Sequence, residues 1–166
     1  MNIFYLDRDP THAAQMQCDQ HAVKMPLETT QLLSTAHIVL DDNQVAYRAT
    51  HKNHPSSVWV RESVENYRWL YRHLMALGDT YTRRYGKVHK SIQEHSQALS
   101  EPPRAIPDGD FTDPPQCMYD WCKRLDTVEA YKAYYAAKAA EWADLGRPMR
   151  WTEPKYEGIL NVYTKR

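Results

Sequence analysis

A mainly α-helical fold, a compact single-domain helical bundle with a short N-terminal extended segment and a proline-rich loop, is what this sequence predicts. Three observations predict it. Apolar residues recur at three- and four-residue steps over long stretches, the spacing that lines one face of a helix. Capping and breaking residues stand at the ends of those stretches. The alternation expected of a strand is confined to the first six residues and, more weakly, to the tail. A chain of 166 residues can bury a core without disulfide or metal staples. One domain is therefore expected over 1–166, with 101–115 as the loop and 147–166 as an irregular C-terminal tail.

In order along the chain, "MNIFYL" is a short alternating apolar start. In "DRDPTHAAQ", Asp9 is placed as N-cap and Pro10 as first residue of a helix running to about Lys24. Pro26 removes one intrahelical hydrogen bond, so a kink or a junction of two helices is expected there, the second ending before "DDNQ". "THKNHPSS" reads as a polar loop, with Ser56 or Ser57 capping a long helix whose apolar stripe is Val60, Val64, Tyr67, Leu70, Leu74 and Leu77. Gly78 interrupts that helix without ending it, and Gly86 is its C-cap before a further helix of about ten residues. Five prolines between Glu101 and Pro115 impose an extended surface loop. The Ala-rich run after Asp126, with Glu129 three residues on, is a capped helix stopped by Gly146-Arg147-Pro148. Trp151, Ile159, Leu160 and Tyr163 are expected to pack the tail.

Net charge is zero, but it is unevenly spread. Residues 1–46 hold two Lys/Arg against six Asp/Glu, and residues 47–104 hold ten against five, which marks the middle segment as the surface for an anionic partner. Twelve tyrosines, five tryptophans and eight histidines against two phenylalanines give aromatics with polar handles, suited to stacking surfaces and wet clefts. Three cysteines form no disulfide framework, which points to a reducing compartment. With no signal peptide and no apolar run near the roughly 20 residues of a membrane span, a soluble, cytoplasmic protein is expected, with no membrane partner.

Chemistry concentrates in "CDQHAVKMPLETTQ". His21, Lys24, Glu28 and Gln31 follow helical steps, so their side chains share a face if the kink at Pro26 is modest. A carboxylate beside an imidazole and an amine can serve as general base, electrostatic stabiliser or proton shuttle. The same spacing also describes an ordinary Lys24–Glu28 ion pair on a solvated face. His51, Lys52 and His54, in the loop before the basic helix, fit a phosphate contact. Alternatively, His51 and His54 could bind a metal together with His21. Arg61, Arg68, Arg72, Arg83, Arg84 and Lys87 with interleaved aromatics form a nucleic-acid footprint, and Tyr131 and Tyr135 offer stacking rings.

Four patches occur in a telling order: "MNIFYL", "DQHAVKMPLE", "THKNHPSS" leading to a helix ending "RRYGK", and "YKAYYAAK". Together they cover about half the chain and resemble the pyrimidine-dimer DNA glycosylase family of the phage endonuclease V type. The resemblance implies a mainly helical DNA enzyme whose N-terminal amine attacks the sugar C1′ while a glutamate on an early helix assists. It places Glu28 in the glutamate's role, with His21 beside it and the amine of Met1 at the sugar, or of Asn2 if the initiator is removed. Lys24 is the other amine within the motif. This sequence has Asn2 where the family has a small residue, and Leu27 and Gln31 around the glutamate where the family has basic ones. "CDxHxxKM" near the start also resembles small phage-encoded proteins, which would put the chain in the cytoplasm of a phage-infected bacterium.

The expected function is therefore glycosyl-bond chemistry on damaged or modified bases in duplex DNA, with or without strand cleavage at the abasic site, and with no cofactor. Two other readings remain open at this level. One is a metal-dependent enzyme modifying nucleotides or DNA bases; the other is a non-enzymatic phage accessory binding protein in which "CDQHAVKMPLE" is a buried polar network.

Overall fold

The computed structural model describes residues 1–153. Among them are six α-helices, one 3-10 turn and no strand. The helices are α1 (Pro10–Gln15), α2 (Asp19–Asp41), α3 (Pro55–Val60), α4 (Val64–Tyr85), α5 (Lys90–His95) and α6 (Thr127–Asp144), with the 3-10 turn at Asp120–Cys122. The protein is mainly α, as its sequence periodicity requires.

The caps explain most boundaries. Asp9 accepts from the N–H groups of Thr11 and His12 to start α1, and Ser63 accepts from Asn66 N–H to start α4. Asp126 accepts from Glu129 N–H to start α6. Histidines cap the two remaining short helices, His54 at α3 and His89 at α5, each taking a backbone N–H on Nδ1. Gly86, at φ 70°, closes α4 in the left-handed conformation that glycine adopts without strain.

Two predicted helices prove to be pairs. The break in the first region falls at residues 16–18, before Asp19, and not at Pro26, which lies within a continuous α2. Cys18 N–H is taken by the Tyr135 hydroxyl and Asp19 N–H by the Arg150 carbonyl, so tertiary partners satisfy the donors of the new helix start. The long basic helix likewise divides at Arg61–Ser63 into α3 and α4, because Ser63 is a better cap than its neighbours and its hydroxyl is also tied to Asp110 C=O.

The first six residues run through the core. Ile3, Phe4, Tyr5 and Leu6 are all buried, so the segment is covered on every side and does not alternate. Helices α1, α2 and α5 pack on α4, and α3 packs on α2 and α4. Gly78 permits the α4–α5 approach, since a Cβ there would lie 2.7 Å from Ile92. The proline-rich loop straps α3 and α4: Trp59 Nε1 donates to Thr112 C=O, Asn66 Oδ1 accepts from Thr112 N–H, and Val64 N–H donates to Pro107 C=O. Trp151 packs by donating to Met16 C=O; Ile159, Leu160 and Tyr163 lie outside the described residues. No described helix is long and apolar enough to cross a membrane.

Candidate active site

A cleft of about 240 Å³ opens where the N-terminal segment meets α2 and α6. Met1, Asn2 and Phe4 come from the segment; Gln20, His21, Lys24, Met25 and Glu28 from α2; Lys138 and Trp142 from α6. Continuity of α2 through Pro26 keeps the predicted face together, so His21, Lys24 and Glu28 share one wall. Lys24 Nζ lies 3.3 Å from Glu28 Oε1.

His21 is buried and held from all sides. Its ring stacks on Phe4 at 4.4 Å and meets Trp142 edge-on at 5.2 Å. The Tyr135 hydroxyl accepts the Cys18 N–H at 2.7 Å and lies 2.8 Å from His21 Nδ1. That single hydroxyl ties the Nδ1 edge of the ring to the start of α2. Burial, then the charges of Lys138 and Lys24, push the His21 pKa down to about 3, so it is neutral at physiological pH. Phe4 has φ 55°, an uncommon conformation for a bulky residue. The strain is spent where the ring covers His21.

The terminus is fixed by its neighbour. Asn2 Nδ2 donates to Cys117 C=O at 3.2 Å, while its Oδ1 is buried with no partner. Asn2 is thus an anchor that sets Met1 at the cleft. On the other side stands the loop 51–54: His54 titrates lower than usual because of partial burial, then the nearby terminal ammonium and His51. Lys52 is exposed beside it.

Lys138 was not singled out from the sequence, nor were Phe4 and Trp142. The signal was present: Tyr134, Lys138 and Trp142 are spaced at i, i+4 and i+8 on α6. Lys138 Nζ lies over both rings, at 5.2 and 5.6 Å from their centroids.

Several expected DNA contacts take other places. The Arg84 side chain is fully buried, donating to Asp19 and to the carbonyls of Gln15 and Gln17. It is an internal clamp because a guanidinium alone can fork to three acceptors. Tyr131 and Tyr135 are buried as well, their hydroxyls engaged by Pro115 C=O and by Cys18 and His21, so neither ring is offered to a base. Arg68 and Arg72 are exposed, Arg68 paired with Glu65 at 2.7 Å. Arg61 turns back onto Ser57, Arg83 is paired with Glu153, and Lys87 is exposed. Among the described residues no three His, Cys, Asp or Glu side chains group as a metal site. His21, His51 and His54 do not assemble as a ligand trio.

The family model described as pyrimidine dimer DNA glycosylase matches residues 1–94, more than half of the chain. The match takes in Met1, His21, Lys24, Glu28, the loop 51–54 and all of α4, and stops before Lys138 and Trp142. No curated protein and no solved structure matches the chain.

Proposed function

We propose, since the chain belongs to the pyrimidine dimer DNA glycosylase family, that the N-terminal cleft is its active centre and that the α-amine of Met1 is the nucleophile. The family is one of DNA glycosylases, and its substrate is DNA; the assignments below go further. The observation that carries them is that one cleft gathers the terminal residue, Glu28, a neutral His21 and two lysines.

In this reading the Met1 nitrogen bonds to C1′ of the damaged nucleotide as the C1′–N bond breaks, and the base leaves with that electron pair. Glu28 takes the proton the amine must lose, then stabilises the positive charge on the sugar. The nitrogen lone pair then expels O4′, which takes up a proton as the sugar ring opens to a protonated imine; loss of a C2′ proton and departure of the 3′-phosphate from that imine is the lyase step. Lys24 is a weaker candidate because its amine is already engaged by Glu28 at 3.3 Å. Lys138 is similarly held by two ring faces. The terminal amine makes no ion pair among the described residues. Neutral His21 is a positioning residue, and Asn2 holds the nucleophile's chain in place.

Duplex DNA would lie across the cleft with phosphates on Arg68, Arg72 and Lys87, and on His51, Lys52 and His54 beside the terminus. The test is borohydride trapping on duplexes carrying an abasic site or a cyclobutane pyrimidine dimer, with undamaged duplex as control. An adduct mapped by mass to the Met1 amine is expected, and Glu28→Gln should abolish it. Base release without an adduct would assign the attack to water activated by Glu28. No adduct and no base release would overturn the reading in favour of a binding protein.

A further inference from the structure

Beyond the residues that the family model matches, a second feature bears on the same cleft. Residues 116–125 form a closed loop: Gln116 Nε2 donates to Arg124 C=O at 2.7 Å, and Gln116 Oε1 accepts from Arg124 N–H at 3.1 Å. Arg124 Nη1 donates to the carbonyls of Trp121 and Lys123, and Cys122 is wholly buried at the loop's centre. These hydrogen bonds tie the two ends of the loop together. At its tip Tyr119 and Trp121, 45% and 67% exposed, stack 5.9 Å apart with planes 12° from parallel. Leu125 beyond them is fully exposed. Tyr119 meets Tyr134 of α6 edge-on at 5.7 Å.

An apolar, solvent-facing ring pair is unfavourable for the free protein and marks a surface built for contact. Two connections tie it to the cleft. The Cys117 carbonyl, in the same loop, accepts the hydrogen bond from Asn2, and Tyr134, which supports Tyr119, has the Lys138 ammonium 5.2 Å from its ring centroid. The loop's charge, Lys123 and Arg124 against Asp120, is compatible with a polyanion. Chemistry at C1′ in a duplex requires a nucleotide to leave the stack, which exposes the faces of its neighbours. Parallel aromatic rings are the surface that can cover such a face.

We propose that Tyr119 and Trp121 form a stacking blade that enters the damaged duplex beside the nucleotide held in the cleft and replaces a lost base contact, with Leu125 as its apolar shoulder. This rests on the glycosylase reading of the cleft but makes a demand of its own. The test uses the full chain, with fluorescence anisotropy on a duplex carrying an abasic-site analogue and on undamaged duplex across a salt series. Trp121→Ala should weaken lesion binding about tenfold, the scale of one base–aromatic stack. Undamaged duplex should be affected by less than about twofold, and the salt slope should not change, because no phosphate contact is lost. Trp121→Phe should retain most of the affinity. Lesion binding equal to the original would overturn the blade. So would a lower thermal midpoint or a dissociated assembly with DNA binding unchanged, since the ring would then cover protein. Trapping run in parallel separates the two ideas: an adduct with lesion binding indifferent to Trp121→Ala sinks the blade alone. Lost lesion binding with no adduct from the original protein sinks the cleft mechanism alone.

Discussion

Helix α2 carries two ion pairs of nearly equal length that live in opposite surroundings. Asp19, at its start, lies 3.1 Å from Arg84, whose side chain is 0% exposed. Glu28, more than two turns on, lies 3.3 Å from Lys24, whose side chain is 67% exposed. Around Asp19 the acceptors are taken: Oδ1 receives Arg84 and Thr152 N–H, and Oδ2 receives the Thr152 hydroxyl. Arg84 Nη1 and Nη2 also donate to the backbone carbonyls of Gln17 and Gln15. Glu28 faces a cleft with capacity to spare. The difference teaches that a charge beside a charge does not by itself mark chemistry; on the proposed reading, unused hydrogen-bonding capacity facing a cleft does.

The sharpest way to break that contrast is Glu28→Gln. Base release or trapping should fall about a thousandfold, while urea unfolding should change by no more than about 1 kcal/mol, because Lys24, 67% exposed, stays solvated without its partner. A variant that kept its turnover, or lost its fold, would place the two pairs in one class. Arg84→Met is the reciprocal experiment. It leaves Asp19 enclosed without its cation and should cost about 3–5 kcal/mol in urea unfolding; Arg84→Lys should recover little, since an ammonium cannot serve carboxylate and two carbonyls in that fork.

Two histidines extend the comparison, His21 in the cleft and His73 next to the clamp. His73 is fully buried, with Nδ1 donating to Pro10 C=O at 2.9 Å and Nε2 accepting from Gln17 at 3.3 Å. Burial pushes its pKa down to about 4, and that of His21 to about 3, against an ordinary 6.5. Below pH 6.5 the unfolded chain therefore takes up protons that the fold refuses. Stability should be full above that pH and should decline toward pH 4, with a slope approaching about 1.4 kcal/mol per pH unit for each histidine. Urea titrations at several pH values would show it, and a flat profile over 6.5 to 4 would contradict the neutral assignment. The smallest effect belongs to Arg72→Ala, which should lower the salt slope of DNA binding by about one while leaving single-turnover cleavage of bound DNA unchanged.

The helical class, the caps at Asp9 and Asp126 and the C-cap at Gly86 were legible because each rests on a local rule. The cleft face of α2 was legible for the same reason: its residues sit at helical steps. What escaped depended on distant partners. The break before Asp19 is stabilised by Tyr135 and Arg150, more than a hundred residues away. Arg84 read as surface charge because its acceptors, residues 15, 17 and 19, are far from it in sequence. Tyr135 read as a stacking ring, although its hydroxyl is what fixes His21. Continuous burial of Ile3–Leu6 looked like alternation, since a segment covered on both sides has no polar face to show.

That threaded segment has a consequence for how the protein is made. The ribosome releases Met1 first, yet the walls that hold it, Cys117 and the α6 side chains Tyr134, Tyr135 and Lys138, emerge more than a hundred residues later. A nascent chain holding only the first 94 residues would carry the amine and Glu28 without the cleft that brings them together. Under the proposed reading, vectorial synthesis would assemble the cleft only once α6 has emerged.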